Sequence, residues 1–320
     1  MKFTTSVPII EQEPKIDHHS KILLLGSCFV ENIGEKLERY QFETLINPFG
    51  IFYHPKAIEG FIEKVSNNYV YTEEDIFFDN EQWHCFDAHS RLNSSSQEEL
   101  LIKLNSGLEE TRVFLKKTTH IVLTFGSSWY YNFINSNKSV ANCHKVSQKN
   151  FQKKIFSTQE IAEVFNNITS MLLTTNSSLK VIFTVSPVRH LRDGFIENQQ
   201  SKAHLITSIH EFLDSQNRDG KSTYYYFPAY EIMLDELRDY RFYSDDMLHP
   251  NKIAVDYIWS RFIEAWVSKN SFILFKDIDV IHNGLAHRAF NENSEKYQLF
   301  LTDLKKKIEL VKAKIPAARF

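Results

Sequence analysis

Short apolar runs recur along the chain, and each is bounded by turn-forming residues. The predicted strands are Ile22–Gly26, Phe42–Asn47, His120–Gly126, Lys180–Pro187 and Ser222–Phe227. Within the third and fourth, the apolar residues are continuous rather than alternating. Continuous apolar runs indicate strands that are buried on both faces, as in a parallel sheet covered by helices.

Amphipathic stretches of helical period lie between these runs. The predicted helices are Val30–Tyr40, Glu98–Lys117, Thr158–Thr174, Asn198–Gln216 and Asn251–Lys269. Strand and helix in alternation, with crossovers tens of residues long, predict a doubly wound α/β fold. We therefore expect a mostly parallel sheet flanked by helices in three layers.

Two long segments interrupt the alternation, and the pattern changes again near the C-terminus. Residues 65–96 and 127–157 are polar and aromatic-rich, and we expect them to form walls over the active edge of the sheet. Beyond about residue 270 the strand pattern ends, and Tyr297–Lys314 has the charged pattern of a surface helix. The sequence predicts a catalytic domain over 1–268 and a helical extension over 269–320.

Composition excludes several classes of protein. The 320 residues are 42% hydrophobic, 14% aromatic and carry a net charge of −3, which favours a well-packed globular protein over a binder of nucleic acid or membranes. The first eleven residues lack the apolar region of a signal peptide. The three cysteines are widely spaced, which predicts free thiols in a reducing compartment. We expect a soluble, cytoplasmic protein.

Near the C-terminus, a carboxylate and an imidazole occur at a spacing typical of catalysis. Asp246 precedes His249 by three residues, so its carboxylate can reach the ring across one turn and fix the tautomer. Pro250 suits the first position of the helix that follows. The alternative is that the acidic residues merely favour a helix N-terminus.

Near the N-terminus, the turn after the first predicted strand has the pattern of a nucleophile site. Gly26 allows a tight exit from the strand, and Ser27 and Cys28 follow at the head of a helix. A thiol there is acidified by the helix dipole, whereas a serine needs a histidine as base. Alternatively, Ser27 is a helix N-cap and Cys28 a small buried apolar residue.

Several ordered motifs between about residue 3 and residue 268 carry a family resemblance. They are Leu25–Phe29, Asn47–Gly50, Phe125–Trp129, Asn142–Lys145, Ser186–His190 and Asp246–Asn251. In these motifs the chain resembles the GSCFA domain family, which is placed among the SGNH (GDSL-like) hydrolases. The resemblance implies an SGNH-hydrolase-like fold and its catalytic apparatus.

The SGNH pattern implies roles for both ends of the chain. Its first block, Gly-Asp-Ser, places the nucleophile two residues after the glycine, which an ungapped match assigns to Gly26, Ser27 and Cys28. The serine of the family pattern is thus replaced by a thiol, so we favour Cys28 as nucleophile and keep Ser27 as the alternative. The last block, Asp-x-x-His-Pro, is matched in full by Asp246–Pro250.

The oxyanion hole is matched less completely. The resemblance implies that Gly50 is a backbone donor in the second block. The third block ends in an asparagine, but this chain has Gly126–Ser128 in its place. The alternatives for the missing donor are the hydroxyl of Ser128 and the side chain of Asn142. One such donor contributes about 3 kcal/mol to barrier lowering.

Other polar residues allow weaker assignments. Arg189 follows a buried strand at the predicted active edge, where it can bind an anionic or carbonyl group or form a salt bridge with Asp193 or Glu197. The pairs Cys143–His144 and His84–Cys85 lack the close ligand spacing of zinc sites, so we predict no metal and no cofactor.

The sequence therefore predicts an esterase or deacetylase that cleaves an acyl ester of a small molecule or a carbohydrate. Cys28 or Ser27 attacks the carbonyl, His249 takes the proton and Asp246 orients the ring. One alternative is an O-acyltransferase that uses acyl-CoA and a sugar acceptor. The other is a binding module that keeps the fold with impaired chemistry.

Overall fold

The computed structural model describes residues 5–217, 222–288, 290–291 and 293–320. Residues 1–4, where the predicted catalytic domain and the N-terminal segment begin, lie outside this set. Residues 289 and 292 of the predicted extension also lie outside it.

Strands and helices alternate through most of the described residues. The strands are β1 (Lys21–Gly26), β2 (Glu43–Ile46), β3 (Phe77–Asp79), β4 (Gln82–His84), β5 (His120–Phe125), β6 (Trp129–Phe133), β7 (Lys138–Val140), β8 (Phe151–Ile155), β9 (Lys180–Val185) and β10 (Tyr224–Phe227). The helices are α1 (Cys28–Arg39), α2 (Pro55–Ser66), α3 (Gln97–Leu115), α4 (Thr158–Thr175), α5 (Phe195–Gln216), α6 (Ala229–Glu231), α7 (Lys252–Trp266), α8 (Lys269–Ala286) and α9 (Glu295–Lys314).

A parallel sheet of five strands in the order β2-β1-β5-β9-β10 forms the centre of the molecule. Its members are the five strands predicted from the apolar runs, so the prediction of a doubly wound α/β fold is confirmed. This is the flavodoxin-like order, in which the chain reverses its direction of progress between the first strand and its neighbour. That switch point lies between β1 and β5. Ligands of such folds bind outside the carboxyl ends of the strands at this position.

Both faces of the sheet are buried, which explains the continuous apolar runs. Leu23 and Leu25 of β1 pack into the core formed with α2, α3, α4 and α5. Ile22 and Leu24 face the opposite core, formed mainly with α1 and α7. Each such side chain is fully buried, and its transfer from water stabilises the fold by roughly 1.5–3 kcal/mol. The sheet is therefore a rigid platform for the loops at its ends.

The two irregular segments contain small antiparallel sheets that the sequence patterns did not predict. β3 pairs with β4, and β6 pairs with both β7 and β8. The segments meet where Ala141 donates its N–H to the carbonyl of Phe86. They also reach the carboxyl edge of the main sheet. His89 donates its N–H to Phe49, and the indole of Trp129 donates to Glu197.

The helical region at the C-terminus differs from the prediction at one boundary. A single helix was predicted over Asn251–Lys269, but α7 ends at Trp266. Val267 is extended and forms a bridge with Ile16, and the hydroxyl of Ser268 then caps α8. α8 and α9 share a small apolar cluster of their own. The boundary at residue 268 between domain and extension stays a prediction.

Among the described residues, the helices are too short or too polar to cross a membrane.

Candidate active site

Backbone geometry fixes the turn at the end of β1. Gly26 has φ +137°, and a Cβ there would lie 2.0 Å from the carbonyl oxygen of Thr124 in β5. The side chain of Asn47 closes the turn, because its Oδ1 accepts the Gly26 N–H at 2.8 Å and its Nδ2 donates to the Gly26 carbonyl at 3.1 Å. Only glycine fits this close approach without strain.

Ser27 and Cys28 point into different surroundings. Ser27 occupies the N-cap position of α1 but is completely buried, and its hydroxyl has no hydrogen-bond partner among the described residues. Cys28 is the first residue of the helix and is only partly buried. The thiol is thus the more accessible of the two predicted nucleophiles.

Two opposing influences act on the pKa of Cys28. Burial raises it most and the carboxylate of Glu31 raises it further, whereas the ammonium of Lys202 and the N–H groups of Cys28 and Phe29 lower it. Because the net shift is upward, the resting thiol is protonated at neutral pH. A proton acceptor is needed before it can attack.

Asp246 and His249 form the hydrogen-bonded pair that their spacing predicted. Oδ2 of Asp246 accepts from Nδ1 of His249 at 2.6 Å, and Oδ1 accepts the N–H groups of Leu248 and His249 at 2.9 and 3.0 Å. The two backbone N–H groups, followed by the ring, lower the pKa of Asp246 to about 2. The carboxylate stays ionised. Because it engages Nδ1, Nε2 is the ring nitrogen that is left for proton transfer. Both side chains are nearly half exposed.

Arg189 holds the loop that carries this pair. Its backbone N–H donates to the Leu248 carbonyl and its Nη1 to the Met247 carbonyl, both at 3.1 Å. Its guanidinium packs against three aromatic rings at 5.4–5.8 Å, those of Phe195, Tyr240 and Tyr243. Within the described part of the chain, it forms no salt bridge. The alternative of a salt bridge to Asp193 or Glu197 is therefore wrong, and Asp193 pairs with Lys153 instead.

Two of the three predicted oxyanion donors, Gly50 and Ser128, donate hydrogen bonds within the protein. The N–H of Gly50 donates to the carbonyl of Asn47 at 2.7 Å. Ser128 is completely buried and its hydroxyl donates to the Ser201 carbonyl at 3.2 Å. Asn142 follows β7, where its Oδ1 accepts the N–H of His144 at 2.8 Å. In this arrangement the Gly50 N–H and the Ser128 hydroxyl both donate within the protein, and their role as oxyanion donors stays a prediction.

Donors that suit an oxyanion better lie at the start of α1. The first N–H groups of a helix have no partner within the helix and carry its positive dipole. The N–H groups of Cys28 and Phe29 are the first two of this helix, and both act to lower the pKa of the Cys28 thiol. They are therefore placed to stabilise negative charge that develops beside that sulfur.

Two residues that the sequence analysis did not assign complete the cluster. Lys202 of α5 is 1% exposed, and its Nζ donates to the carbonyls of Gly126 and Ser186, both at 2.7 Å. Burial lowers its pKa to about 7, an effect that Cys28 opposes. Burial, followed by Lys202 and His249, lowers the pKa of His190 to about 3, so this ring is neutral.

The helical period offered a signal for Lys202. It lies three residues before Leu205 and seven before Ile209, both of which are completely buried. The period therefore places this lysine on the buried face of α5.

Loops from three adjacent strands converge on Gly126. A Cβ on this glycine would lie 3.0 Å from Nε2 of His190 and 3.3 Å from Cβ of Ser27. Next to His190 in the chain, Arg189 donates its N–H to the Leu248 carbonyl of the His249 loop at 3.1 Å. The structure thus places the Cys28 turn and the His249 loop at one edge of the sheet. Among the described residues, no hydrogen bond joins Cys28 to the His249 ring.

A cleft of about 360 Å³ lies beside Arg189, the residue that donates to the carbonyls of Met247 and Leu248. Its walls include Arg189, Gln199, Tyr240 and Tyr243. It is large enough for part of a small substrate, and it combines aromatic surface with a few polar groups, as ligand sites do.

The histidines and cysteines of the two irregular segments serve the fold. Nε2 of His84 donates to the Asp79 carbonyl at 2.8 Å, and Nε2 of His144 donates to the Cys85 carbonyl at 2.7 Å. Within the described ranges, no group of three or more His, Cys, Asp or Glu side chains is arranged to hold a metal ion. All three cysteines are free thiols.

Comparison with known families gives two matches that together span most of the chain. The profile described as the GSCFA family matches residues 21–262, and that of the GSCFA domain protein, C-terminal domain, matches residues 278–320. No curated protein matches the sequence.

Among solved structures the likenesses are distant. A carbohydrate esterase family 3 structure from Talaromyces cellulolyticus has 10% identity and a TM-score of 0.37, over 81% of this chain and 98% of that one. A Clostridium thermocellum family 3 carbohydrate esterase has 9% identity and a TM-score of 0.35, over 82% and 98% respectively.

Proposed function

The chain belongs to the GSCFA family, and from that premise we propose that it is an SGNH-type hydrolase of acyl esters with Cys28 as nucleophile. One observation carries the proposal. The 2.6 Å hydrogen bond between Asp246 and His249 leaves Nε2 of the ring without a partner among the described residues, at the same sheet edge as the Cys28 turn. A carboxylate-oriented imidazole beside a nucleophile is the arrangement that acyl transfer requires.

The proposed reaction has two halves. Nε2 of His249 takes the thiol proton, and the Cys28 sulfur attacks the ester carbonyl to form a tetrahedral intermediate. The alkoxide leaves with the proton from His249, and a thioester remains on Cys28. Water, deprotonated by His249, then attacks the thioester and releases the acid, and the thiol recovers its proton. Asp246 remains ionised and stabilises the imidazolium in both halves.

Accessibility supports the thiol over the hydroxyl. The Ser27 side chain is completely enclosed, whereas Cys28 reaches the surface. The N–H groups of Cys28 and Phe29, at the start of α1, are the proposed oxyanion donors in place of Gly50 and Ser128. Ser27 then takes the position of the aspartate in the SGNH first block, as the ungapped match implies.

The cleft beside Tyr240 and Tyr243 is the proposed site for the alcohol part of the ester. A carbohydrate ester is one substrate of this kind. An acyltransferase would use the same cleft for an acceptor alcohol, so the two reactions differ in what enters after the thioester forms.

The test is hydrolysis of 4-nitrophenyl acetate by the full chain and two variants. His249→Gln removes the base, and Asp246→Asn removes the carboxylate but keeps the size. We expect kcat/KM to fall by about 10³-fold or more for the first and by about 10²–10⁴-fold for the second. Asp245→Asn is the matched control, because among the described residues the His249 ring forms its hydrogen bond and ion pair with Asp246 and none with Asp245.

Wild-type turnover by His249→Gln would contradict the proposal. The same assay distinguishes the transferase. Release of product from acyl-CoA only when a sugar acceptor is added would replace hydrolysis by O-acyl transfer.

A further inference from the structure

Arg189 has unused hydrogen-bond donors in the wall of the cleft. Its Nη1 donates to the Met247 carbonyl at 3.1 Å, whereas its Nε and Nη2 have no protein acceptor among the described residues. These two groups form one edge of the guanidinium, which matches the two oxygens of a carboxylate or phosphate. Arg39 uses the same edge on Asp279, at 3.2 and 2.8 Å. Arg189 therefore has the donors for a further anion.

The guanidinium is also held in place before any ligand binds. The rings of Phe195, Tyr240 and Tyr243 lie 5.4–5.8 Å from it, and the bond to the Met247 carbonyl fixes it from another side. A side chain that is already held loses little freedom on binding, so more of the interaction energy contributes to affinity.

The charged residues of the cleft favour an anion. Arg189 and Arg238 both line it, together with one carboxylate, that of Asp239. This carboxylate accepts the N–H and Nη2 of Arg241, both at 2.9 Å, so its charge is already engaged. Arg238 has only a surface contact with Asp235 at 4.0 Å, and such contacts are weak. The cleft therefore has a surplus of positive charge.

Gln199 adds a neutral donor to the same cleft. The hydroxyl of Tyr230 donates to its Oε1 at 2.8 Å. The amide nitrogen at the other end of the group has no protein partner among the described residues, and its two hydrogens remain for a ligand.

We propose that this cleft takes esters whose alcohol part carries an anionic group, a carboxylate or a phosphate, and that Arg189 binds this group. The proposal rests on the proposed use of the cleft for the alcohol part of the ester. Arg189 donates to the carbonyls of Met247 and Leu248, the two residues before His249. An anion held there fixes the orientation of the ester relative to the proposed base.

An arginine that only supported the His249 loop would not distinguish a charged ligand from a neutral one of the same shape. Binding of matched ligands therefore separates the two roles. The ligands are 3-acetamidobenzoate, its neutral analogue 3-acetamidobenzamide, and 3-acetamidophenyl phosphate. Each has an amide in place of the ester, so that binding is measured without turnover.

The experiment is isothermal titration calorimetry of the full chain at about 0.15 M salt, where distant charges are screened. We expect at least one of the two acids to bind about tenfold more tightly than the neutral analogue, as charge-assisted hydrogen bonds allow. The tighter of the two acids identifies the anion. In Arg189→Gln the preference should disappear.

Arg192→Gln is the matched control, because it removes the same charge from an exposed side chain that does not line the cleft. It should keep the preference for the acid. Equal dissociation constants for the acids and the neutral analogue, an unchanged preference in Arg189→Gln, or no saturable binding of either acid would overturn the proposal.

A second measurement needs no variant and covers the case in which Arg189→Gln does not fold. Phenylglyoxal modifies free guanidinium groups, and mass spectrometry locates the modified arginines. The acid that binds should protect Arg189 in the wild-type chain and leave Arg192 reactive, whereas 3-acetamidobenzamide should protect neither. Equal protection by the neutral analogue, or none by either acid, would contradict the proposal. Neither readout requires ester turnover, so a failed esterase assay and a missing anion preference are distinct results.

Discussion

Two glycine–serine turns follow neighbouring strands of the sheet, but one leads into a helix and the other into a strand. After β1, Gly26 and Ser27 lead directly into α1, so Cys28 stands at a helix start with an accessible thiol. After β5, the chain passes through Ser127 and Ser128 into β6 instead of a helix. Both of those serines bond to Ser201 of α5, at 2.7–3.2 Å.

The comparison shows that residue type alone does not make a strand end reactive. A helix that starts at the turn supplies free N–H groups and lifts the next side chain outward. Where a strand follows the turn, as after β5, the polar groups of the turn are used in hydrogen bonds within the fold. The first turn is therefore the candidate nucleophile site, and the second is a support beside it.

The largest expected effect separates the two turns by activity. Cys28→Ala should lower kcat/KM for 4-nitrophenyl acetate by about 10³-fold or more, because it removes the attacking atom. Ser128→Ala should change it by less than about tenfold, because that hydroxyl is bonded inside the fold. Comparable losses in both variants, measured on folded protein, would contradict the contrast.

A second difference concerns the two glycines. Gly26→Ala should destabilise the protein by about 3 kcal/mol or more, because its φ is +137° and the new Cβ would meet the Thr124 carbonyl at 2.0 Å. Gly126→Ala meets its nearest atom, Nε2 of His190, at 3.0 Å and has no positive φ, so a smaller loss is expected. Urea unfolding of both variants measures the difference. An equal loss would show that the β1 turn is not the more constrained.

The pH dependence of stability tests the burial of Lys202, whose Nζ donates to the Gly126 carbonyl in the second turn. Its pKa is lowered to about 7 from an ordinary 10.5, so between these values the unfolded chain holds a proton that the native chain lacks. Native stability then rises with pH across this window, by about 1 kcal/mol per pH unit relative to Lys202→Met. Parallel stability curves for the two proteins would contradict the assigned burial.

The smallest effects concern the serines themselves. Ser201→Ala should cost about 1–3 kcal/mol, because it leaves the buried N–H of Ser128 unsatisfied. Ser27→Ala removes a buried hydroxyl that has no hydrogen-bond partner in the described part of the chain, so it should be neutral or slightly stabilising. Denaturant melts of the two variants measure this, and a large loss for Ser27→Ala would reveal a hydrogen bond that the structure lacks.

Local spacing and periodicity made much of this molecule predictable from its sequence. The five apolar runs became the five parallel strands, because burial on both faces leaves a continuous signal. The Asp246–His249 pair was also predictable, since three residues of separation fix its geometry within one turn. Whether the pair serves catalysis stays a prediction.

The rest depended on contacts between distant segments. Nothing near Ser128 in the sequence indicates that Ser201 accepts its hydroxyl, and the turn from Asn47 to Gly50 that uses the glycine N–H forms only with the sheet. The strands β3, β4 and β7 have three residues each, too few to show a period. For Lys202, the sequence predicted only that a polar residue lies on the apolar face of its helix.

The most direct test of the central claim is to trap the acyl enzyme. Wild-type protein is mixed with 4-nitrophenyl acetate, quenched in acid within the first turnovers, digested and analysed by mass spectrometry. We expect an added acetyl group on Cys28, as a thioester that hydroxylamine removes at neutral pH. An acetyl group on Ser27, or hydrolysis without any acyl enzyme at Cys28, would contradict it.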